Sequence, residues 1–172
     1  QAQDYDRWAQ MGNAGWSWDD VLPLFKNAEN NERGANDYHG DDGPLSVSNM
    51  RIQRPITDAW VEAAQAAGYP FNPDYNGETQ EGVGFFQLTS KNGRRCSTAV
   101  AYLNPARSRS NLQIVTHAQV QKVNIENGVA TGVTYKERSG AEVVVKANRE
   151  VILSGGSINS PQLLMLSGIG EA

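Results

Sequence analysis

Cysteine and histidine are scarce in this sequence, and their scarcity excludes two kinds of site. Cys96 is the single cysteine among 172 residues, so the chain cannot form an internal disulfide. Only His39 and His117 accompany it, which leaves too few side chains for a cluster of cysteine and histidine ligands. We therefore expect no metal site, and we expect Cys96 to be a small, partly buried residue.

Long apolar runs and an excess of basic charge are also missing. No uninterrupted apolar stretch approaches the roughly 20 residues that span a bilayer, and the polar start, Gln1 to Asp6, differs from a signal peptide. Fifteen basic residues against nineteen acidic ones give a net charge of −4, without a basic stripe to attract phosphate backbones. We therefore expect a cytoplasmic protein with no membrane-spanning segment and no nucleic-acid partner.

What is present is the composition of an ordinary globular protein, with 39% hydrophobic and 20% charged residues. A chain of this length can bury one good core or parts of two. It opens without a methionine, already in an amphipathic segment, and it closes soon after Gly170. We expect a fragment of a larger protein.

The first half of the sequence predicts three helices and a polar loop. Asp4 to Met11 can form a short helix, and a second begins at Ser17, with Asp20 completing a capping box. Pro55 to Ala67 carries apolar residues at helical spacing, which indicates a helix with a core-facing side. The polar, glycine-rich stretch from 30 to 43 is typical of a surface loop.

Shorter elements are predicted around these helices. Pro44 to Ser48 and Gly84 to Ser90 are strand candidates, and Asn92-Gly93 marks a tight turn. Ser97 to Leu103 is predicted as a short helix that Asn104-Pro105 ends. From Asn111 onward four or five β-rich runs are separated by Asn127-Gly128 and Ser139-Gly140, the turn signals of an antiparallel meander.

The last stretch, Glu150 to Gly170, has the pattern of a strand, a glycine turn and a helix. Val151 to Leu153 predict the strand, Ser160 is the predicted N-cap with Pro161 at the first helical position, and Gly168 ends the helix. The amides and dipole of such a helix start favour an anion. A buried strand tied to a core helix explains the same residues, and the pattern alone leaves both interpretations open.

Four short motifs in this stretch together resemble the second signature of the glucose-methanol-choline (GMC) flavoprotein oxidoreductases. They are Gly156-Ser157, Ser160-Pro161, Leu163-Leu164 and Ser167-Gly168-Ile169-Gly170. Supporting segments follow the family's order: Tyr5 to Glu29, His39 to Ser48, Asp74 to Ala106 and Asn111 to Val123. The resemblance implies an α/β fold with an α+β part, that is, a fragment of an FAD-binding Rossmann-like domain joined to part of the GMC substrate domain.

Domain limits and cofactor contacts also follow from this resemblance. Residues 1–43 would link the FAD and substrate domains, 44–106 would belong to the substrate domain, and 107–172 to the FAD-binding domain. Val120 would hold the adenine end of FAD through its backbone. The residues expected near the ribose and pyrophosphate, or backing that wall, are Gly155, Gly156, Ser157 and Ser160.

The same resemblance implies the oxidation of a primary alcohol to an aldehyde, with the hydride going to the flavin. Phe85, Phe86 and Gln87 are candidates for lining the substrate pocket, although core packing explains the two phenylalanines equally well. Asn159 resembles a position that faces the substrate in some relatives. Because its amide is neutral and offers no carboxylate to a quaternary ammonium, it favours a neutral primary or aromatic alcohol over choline.

Two catalytic parts of the family have no counterpart in this sequence. The dinucleotide fingerprint is expected upstream of Gln1 and the catalytic histidine downstream of Ala172, so we assign no catalytic residue here and expect the fragment alone to be inactive. His39 and His117 are expected to be surface or structural residues. The electron acceptor stays open, as does the alternative that the chain is a non-catalytic anion-binding or interaction module.

Overall fold

A computed structural model describes residues 1–170 of the chain. The chain divides into two compact units, Gln1–Leu112 and Gln113–Ala172. The first unit contains helices and short strand pairs, and the second contains an antiparallel sheet followed by a helix.

The three helices predicted in the first unit are confirmed: α1 is Ala2–Gln10, α2 is Trp18–Ala28 and α3 is Pro55–Ala66. The capping box of α2 forms as expected, since the Asp20 amide donates to Ser17 Oγ at 3.3 Å and the Ser17 amide donates to Asp20 Oδ2 at 3.1 Å.

Replacing an N-cap serine typically costs about 1 kcal/mol. We therefore expect Ser17→Ala to lower the thermal unfolding midpoint measurably, whereas Ser139→Ala, in a β-turn, should change it less.

The core side of α3 differs from the prediction. Ile56 and Trp60 are 75% and 64% exposed, whereas Val61 is buried at 5%. The spacing of apolar residues therefore predicted helix α3 correctly. It did not predict which side of α3 is buried against the rest of residues 1–170. A contiguous apolar face of this kind is typical of a surface that other protein covers.

The stretch from 30 to 43 is mostly the predicted surface loop, but its first two residues belong to a strand and part of it is buried. β1 (Glu29–Asn31) pairs in parallel with β2 (Leu45–Val47), which confirms the strand predicted at Pro44 to Ser48. Asn31 and His39 are buried despite their polarity. They can be buried because their side chains hydrogen-bond to other buried or half-buried groups.

The predicted strand over Gly84 to Ser90 is also mostly wrong. Only Ser90–Lys91 (β3) pairs with Arg94–Arg95 (β4), around the confirmed Asn92-Gly93 turn, and Leu88 makes an isolated bridge to Ser48. At the start of the segment, a Cβ on Gly84 would overlap the carbonyl oxygen of Asn72. That close approach lets the segment pack on the loop around Asn72 instead of extending a ladder.

The helix predicted over Ser97 to Leu103 does not end at Asn104-Pro105. A π-helical turn, Ala99–Leu103, continues into α4, Asn104–Ala106. Pro105 is the second residue of α4 and follows the π-helical turn directly, so it did not end the helical run where the sequence predicted. Cys96, which precedes this helix, is buried at 1% exposure, in line with its predicted structural character.

The second unit contains the predicted antiparallel meander, with three strands rather than four or five. β5 (Gln119–Glu126), β6 (Val129–Lys136) and β7 (Glu142–Lys146) pair in that order. The turns lie where Asn-Gly and Ser-Gly predicted them, with Asn127 and Gly128 both at positive φ. Val151 to Leu153 form no strand or ladder within the described residues, so the predicted strand there was wrong.

The last helix, α5, spans Gly156–Leu166 and begins four residues before the predicted cap. The prediction of Ser160 as N-cap was wrong because Gly156 adopts a φ of +89°, which lets the chain enter the helix early. Its end is as predicted: Gly168 at φ +81° donates to the Met165 carbonyl, closing the helix. Ser167 joins α5 to β5, because its Oγ accepts the Val123 N–H at 2.8 Å.

Candidate functional site

A cleft of about 710 Å³ lies in the second unit between β5, the segment 151–155 and α5. Four of the residues predicted to contact cofactor or substrate line it together: Val120, Gly155, Asn159 and Ser160. Gly156 and Ser157 are exposed in the adjoining first turn of α5. The fold therefore gathers residues that are far apart in the sequence, although none of their roles follows from this alone.

The glycine turn at the start of α5 is held by one side-chain contact. The Gly155 amide donates to Ser160 Oγ at 2.9 Å, so Ser160 braces the turn instead of capping a helix. A Cβ on Gly155 would lie 3.3 Å from that Oγ and 3.2 Å from Asn159 Cβ, tighter than ordinary contact. Because α5 begins at Gly156, the unpaired N–H groups of the helix start belong to the turn at 156–158 and not to Ser160.

Val120 lies at an irregular place in the sheet. It pairs with Tyr135, whereas Lys122 pairs with Thr134, so Gln121 is the extra residue of a bulge. A bulge interrupts the ladder and leaves backbone groups of that strand free for another partner. This geometry is compatible with the predicted backbone contact from Val120 to an adenine.

The cleft carries no formal charge. Its remaining lining consists of amides, apolar side chains and Ser154: Gln119, Gln121, Val133, Val151, Ile152, Leu153, Ser154, Gln162, Leu163 and Leu166. Amides offer both donors and acceptors, and the apolar groups offer a surface for a ring. The lining therefore fits the adenine and ribose of a dinucleotide, while the first turn of α5 is the part that suits an anion.

The predicted substrate-lining residues other than Asn159 lie in the first unit. Phe86 is 63% exposed and stacks on Tyr75 with ring centroids 4.5 Å apart, and Phe85 is half-buried. Gln87 exchanges two hydrogen bonds with Asn31, at 2.9 and 3.0 Å. The side chain of Gln87 is therefore engaged in holding the fold, and the exposed face of Phe86 is the part available to a ligand.

His39 is the residue whose importance the sequence did not reveal. It is 6% exposed, with Nδ1 2.7 Å from Glu29 Oε2 and Nε2 2.9 Å from Asp74 Oδ2. Burial alone lowers the pKa of His39, but the hydrogen bonds to the two carboxylates outweigh it and raise that pKa above its ordinary 6.5. The expectation of a structural role is met, and the expectation of a surface position holds only for His117, which is exposed.

The comparison with protein families is decisive. The family model described as GMC oxidoreductase matches residues 1–172. The chain belongs to the GMC oxidoreductase family. The resemblance inferred from the closing signature is thereby confirmed over the whole chain.

Curated relatives of this chain include choline dehydrogenases. The oxygen-dependent choline dehydrogenase of Sinorhizobium fredii is 51% identical over 99% of this chain and 31% of its own length. The mitochondrial choline dehydrogenase of Mus musculus is 48% identical over 99% of this chain and 28% of its own. The chain therefore spans about a third of the length of these relatives.

Solved structures of the family share the fold. Pyridoxine 4-oxidase from Mesorbium loti matches 98% of this chain and 33% of its own, with a TM-score of 0.86 and 32% identity. An FAD-dependent oxidoreductase from Chaetomium thermophilum matches 98% of this chain and 32% of its own, with a TM-score of 0.87 and 28% identity. The predicted mixed α/β class is confirmed, and so is FAD as the cofactor of the family.

Within residues 1–170, no helix is both long and apolar enough to cross a membrane. The same residues contain no group of three or more histidine, cysteine or acidic side chains placed to hold a metal ion. The domain limits at 43 and 106 and the roles of individual cofactor and substrate residues stay predictions.

Proposed function

We propose that the protein containing this chain oxidises a primary alcohol to an aldehyde. The observation that carries the proposal is the identity of about 50% to choline dehydrogenases over nearly the whole chain, within a family whose solved members include FAD-dependent oxidoreductases. Bound FAD would supply the redox chemistry by accepting a hydride from the alcohol carbon. The chain's own contribution is to bind and orient.

The second unit would hold the nucleoside end of the cofactor. Its uncharged cleft offers amide groups and the bulged backbone beside Val120 to an adenine, and the first turn of α5 offers N–H groups to the pyrophosphate. Gly155 and Gly156 keep side chains away from this wall. The non-catalytic alternative uses the same cleft, but it does not explain the close similarity to dehydrogenases.

Two classes of primary alcohol compete as substrate. Identity to choline dehydrogenases favours choline, whereas the neutral amide of Asn159 favours an uncharged alcohol, because a quaternary ammonium gains most from a nearby carboxylate or aromatic ring. A test is to assay the flavin-loaded, full-length protein with choline and with benzyl alcohol, using an artificial electron acceptor. Turnover of either alcohol supports the proposal, and turnover of neither would contradict it.

Asn159 lines the cleft that we assign to the nucleoside end of FAD, so its contact with the substrate is a separate hypothesis, and that hypothesis predicts a change in specificity. In Asn159→Asp we expect kcat/KM for choline, relative to benzyl alcohol, to rise about tenfold, which corresponds to about 1.4 kcal/mol of added attraction. The matched control is Gln162→Glu, which adds a carboxylate elsewhere in the same cleft. An unchanged ratio in Asn159→Asp, or an equal rise in both variants, would show that Asn159 does not face the substrate.

A cytoplasmic location also stays a prediction. The mouse relative is described as mitochondrial, so the family provides no single location. The electron acceptor is an open part of the proposal, and comparing oxygen with an artificial acceptor in the same assay would identify it.

A further inference from the structure

A buried polar cluster in the first unit joins segments that are far apart in the sequence. His39 contacts Glu29 of β1 on one side and Asp74 on the other. Asn31 donates to Glu29 Oε1 at 3.0 Å and to Gln87 Oε1 at 2.9 Å. Gln87, which lies 56 residues after Asn31 in the sequence, therefore also belongs to the cluster. The cluster thereby fixes β1, the loop at Asp74 and the segment at Gln87 to one another.

The geometry around His39 requires two ring protons. Each ring nitrogen faces a carboxylate oxygen, and an ionised carboxylate can only accept. A neutral imidazole carries one N–H, so it would leave one carboxylate without its hydrogen bond. Asn31 Nδ2 also lies 3.3 Å from His39 Nδ1, but its two amide hydrogens have shorter contacts with Glu29 Oε1 at 3.0 Å and Gln87 Oε1 at 2.9 Å. His39 Nδ1 is therefore left to donate to Glu29 Oε2, only 2.7 Å away.

Two basic side chains of the first unit, Lys26 and Arg33, are engaged with other partners and do not substitute for the imidazolium. Lys26 Nζ donates to the carbonyls of Asn36 and Asp37, and Arg33 donates to the Pro73 carbonyl and to Asn49. The other titratable side chains that share a cavity wall with His39 and Glu29 are those of Tyr5, Tyr38, Tyr75 and Glu78. The imidazolium thus offsets one of the two negative charges that Glu29 and Asp74 carry.

We propose that Glu29, His39 and Asp74 form a proton-dependent clamp that holds the loop at Asp74 and the segment at Gln87 on β1. When His39 loses a proton, one half-buried carboxylate loses its donor while two negative charges stay close together. The segment that loosens carries Phe85 and Phe86. That this segment lines a substrate pocket rests on the proposed function, whereas the clamp does not.

The direction of the pH dependence follows from linkage. The pKa of His39 is raised in the folded chain, so its contribution to stability is complete below the unfolded value near 6.5 and is lost as pH rises through the folded value. Segments 72–74 and 83–88 should therefore loosen on the alkaline side. The Asn72 amide donates to the Val83 carbonyl, and the Val83 amide donates to the Pro70 carbonyl. Faster hydrogen exchange of these two amides would show that the segments have loosened.

The first test is the protonation state of His39 in the full-length protein labelled with ¹⁵N-histidine. His39→Gln identifies its imidazole signals, and His117→Gln is the matched control because His117 is exposed. We expect both nitrogens of His39 to carry protons at about pH 6.5 and to lose one only above that ordinary imidazole value. A neutral His39 ring at that pH would overturn the clamp.

The second test is hydrogen exchange of peptides covering 70–88, at about pH 6 and about pH 9, corrected for intrinsic exchange. We expect protection to fall at the higher pH in the wild type and in His117→Gln, and to be low at both in His39→Gln. An identical pH dependence in wild type and His39→Gln would overturn the proposal. If His39→Gln does not fold, Asp74→Asn replaces it as the test variant. Removing the Asp74 charge should lower the pKa of His39, and an unchanged His39 titration in Asp74→Asn would overturn the proposal.

Discussion

Replacing Gly155 with valine is expected to release FAD from the full-length protein. Gly155 has an ordinary φ of −77°, so valine meets no left-handed strain there. Its Cβ would instead press on Ser160 Oγ and Asn159 Cβ, and the branched methyl groups would enter the cleft. We expect the dissociation constant of FAD to rise at least about tenfold, which is about 1.4 kcal/mol. Equilibrium dialysis against FAD measures it.

Valine substitutions at two glycines distinguish the loss of a cofactor contact from the effect of backbone strain. Gly156 has a φ of +89° and Gly140, in the β6–β7 turn, has a φ of +88°, and at both the position that a Cβ would take has no neighbouring atom within 4 Å. Valine should therefore cost a similar backbone strain at both, of about 1–2 kcal/mol. If the first turn of α5 contacts FAD, Gly156→Val loses FAD and Gly140→Val retains it. Equal retention by both variants would mean that the turn at Gly156 is structural only.

The second large effect is expected at Gly84. A Cβ there would overlap the Asn72 carbonyl oxygen, and the backbone bonds between Asn72 and Val83 leave little room for either to move. We expect Gly84→Ala to destabilise the protein by about 3 kcal/mol, the upper range for overpacking. Gly93→Ala is the control, because its φ of +73° costs only about 1 kcal/mol and no atom lies nearby. Thermal unfolding followed by circular dichroism compares them, and equal midpoints would contradict the packing at Gly84.

Local signals predicted those parts of the fold whose cause is local. The capping box at Ser17 and Asp20 works through atoms three residues apart, and Asn127-Gly128 supplies the positive φ that a tight hairpin needs. The start of α5 was misplaced because Ser160 has the right chemistry for a cap. Its hydroxyl instead accepts the Gly155 N–H, a contact that depends on how Gly156 turns.

The rest could not be predicted because its cause is distant in sequence. His39 stands in an acidic, glycine-rich stretch that looks solvated, and its partner Asp74 lies 35 residues away. The exposed face of α3 has an apolar pattern that is typical of a buried surface, but the pattern does not identify the part of the protein that packs against it. For the candidate site, family resemblance named Val120, Gly155, Asn159 and Ser160, and the fold brings them to one cleft. Gly156 and Ser157 lie beside it.

The most direct test of the proposed function is the reduction of bound flavin by an alcohol. The full-length protein, purified with its cofactor, is mixed without oxygen with choline or benzyl alcohol while the visible flavin absorbance is recorded. A protein that uses this chain as the wall of its FAD site and oxidises primary alcohols must carry flavin and lose that absorbance with at least one of them. A protein that purifies without flavin and does not take it up, or whose flavin stays oxidised with both alcohols, would contradict the proposal.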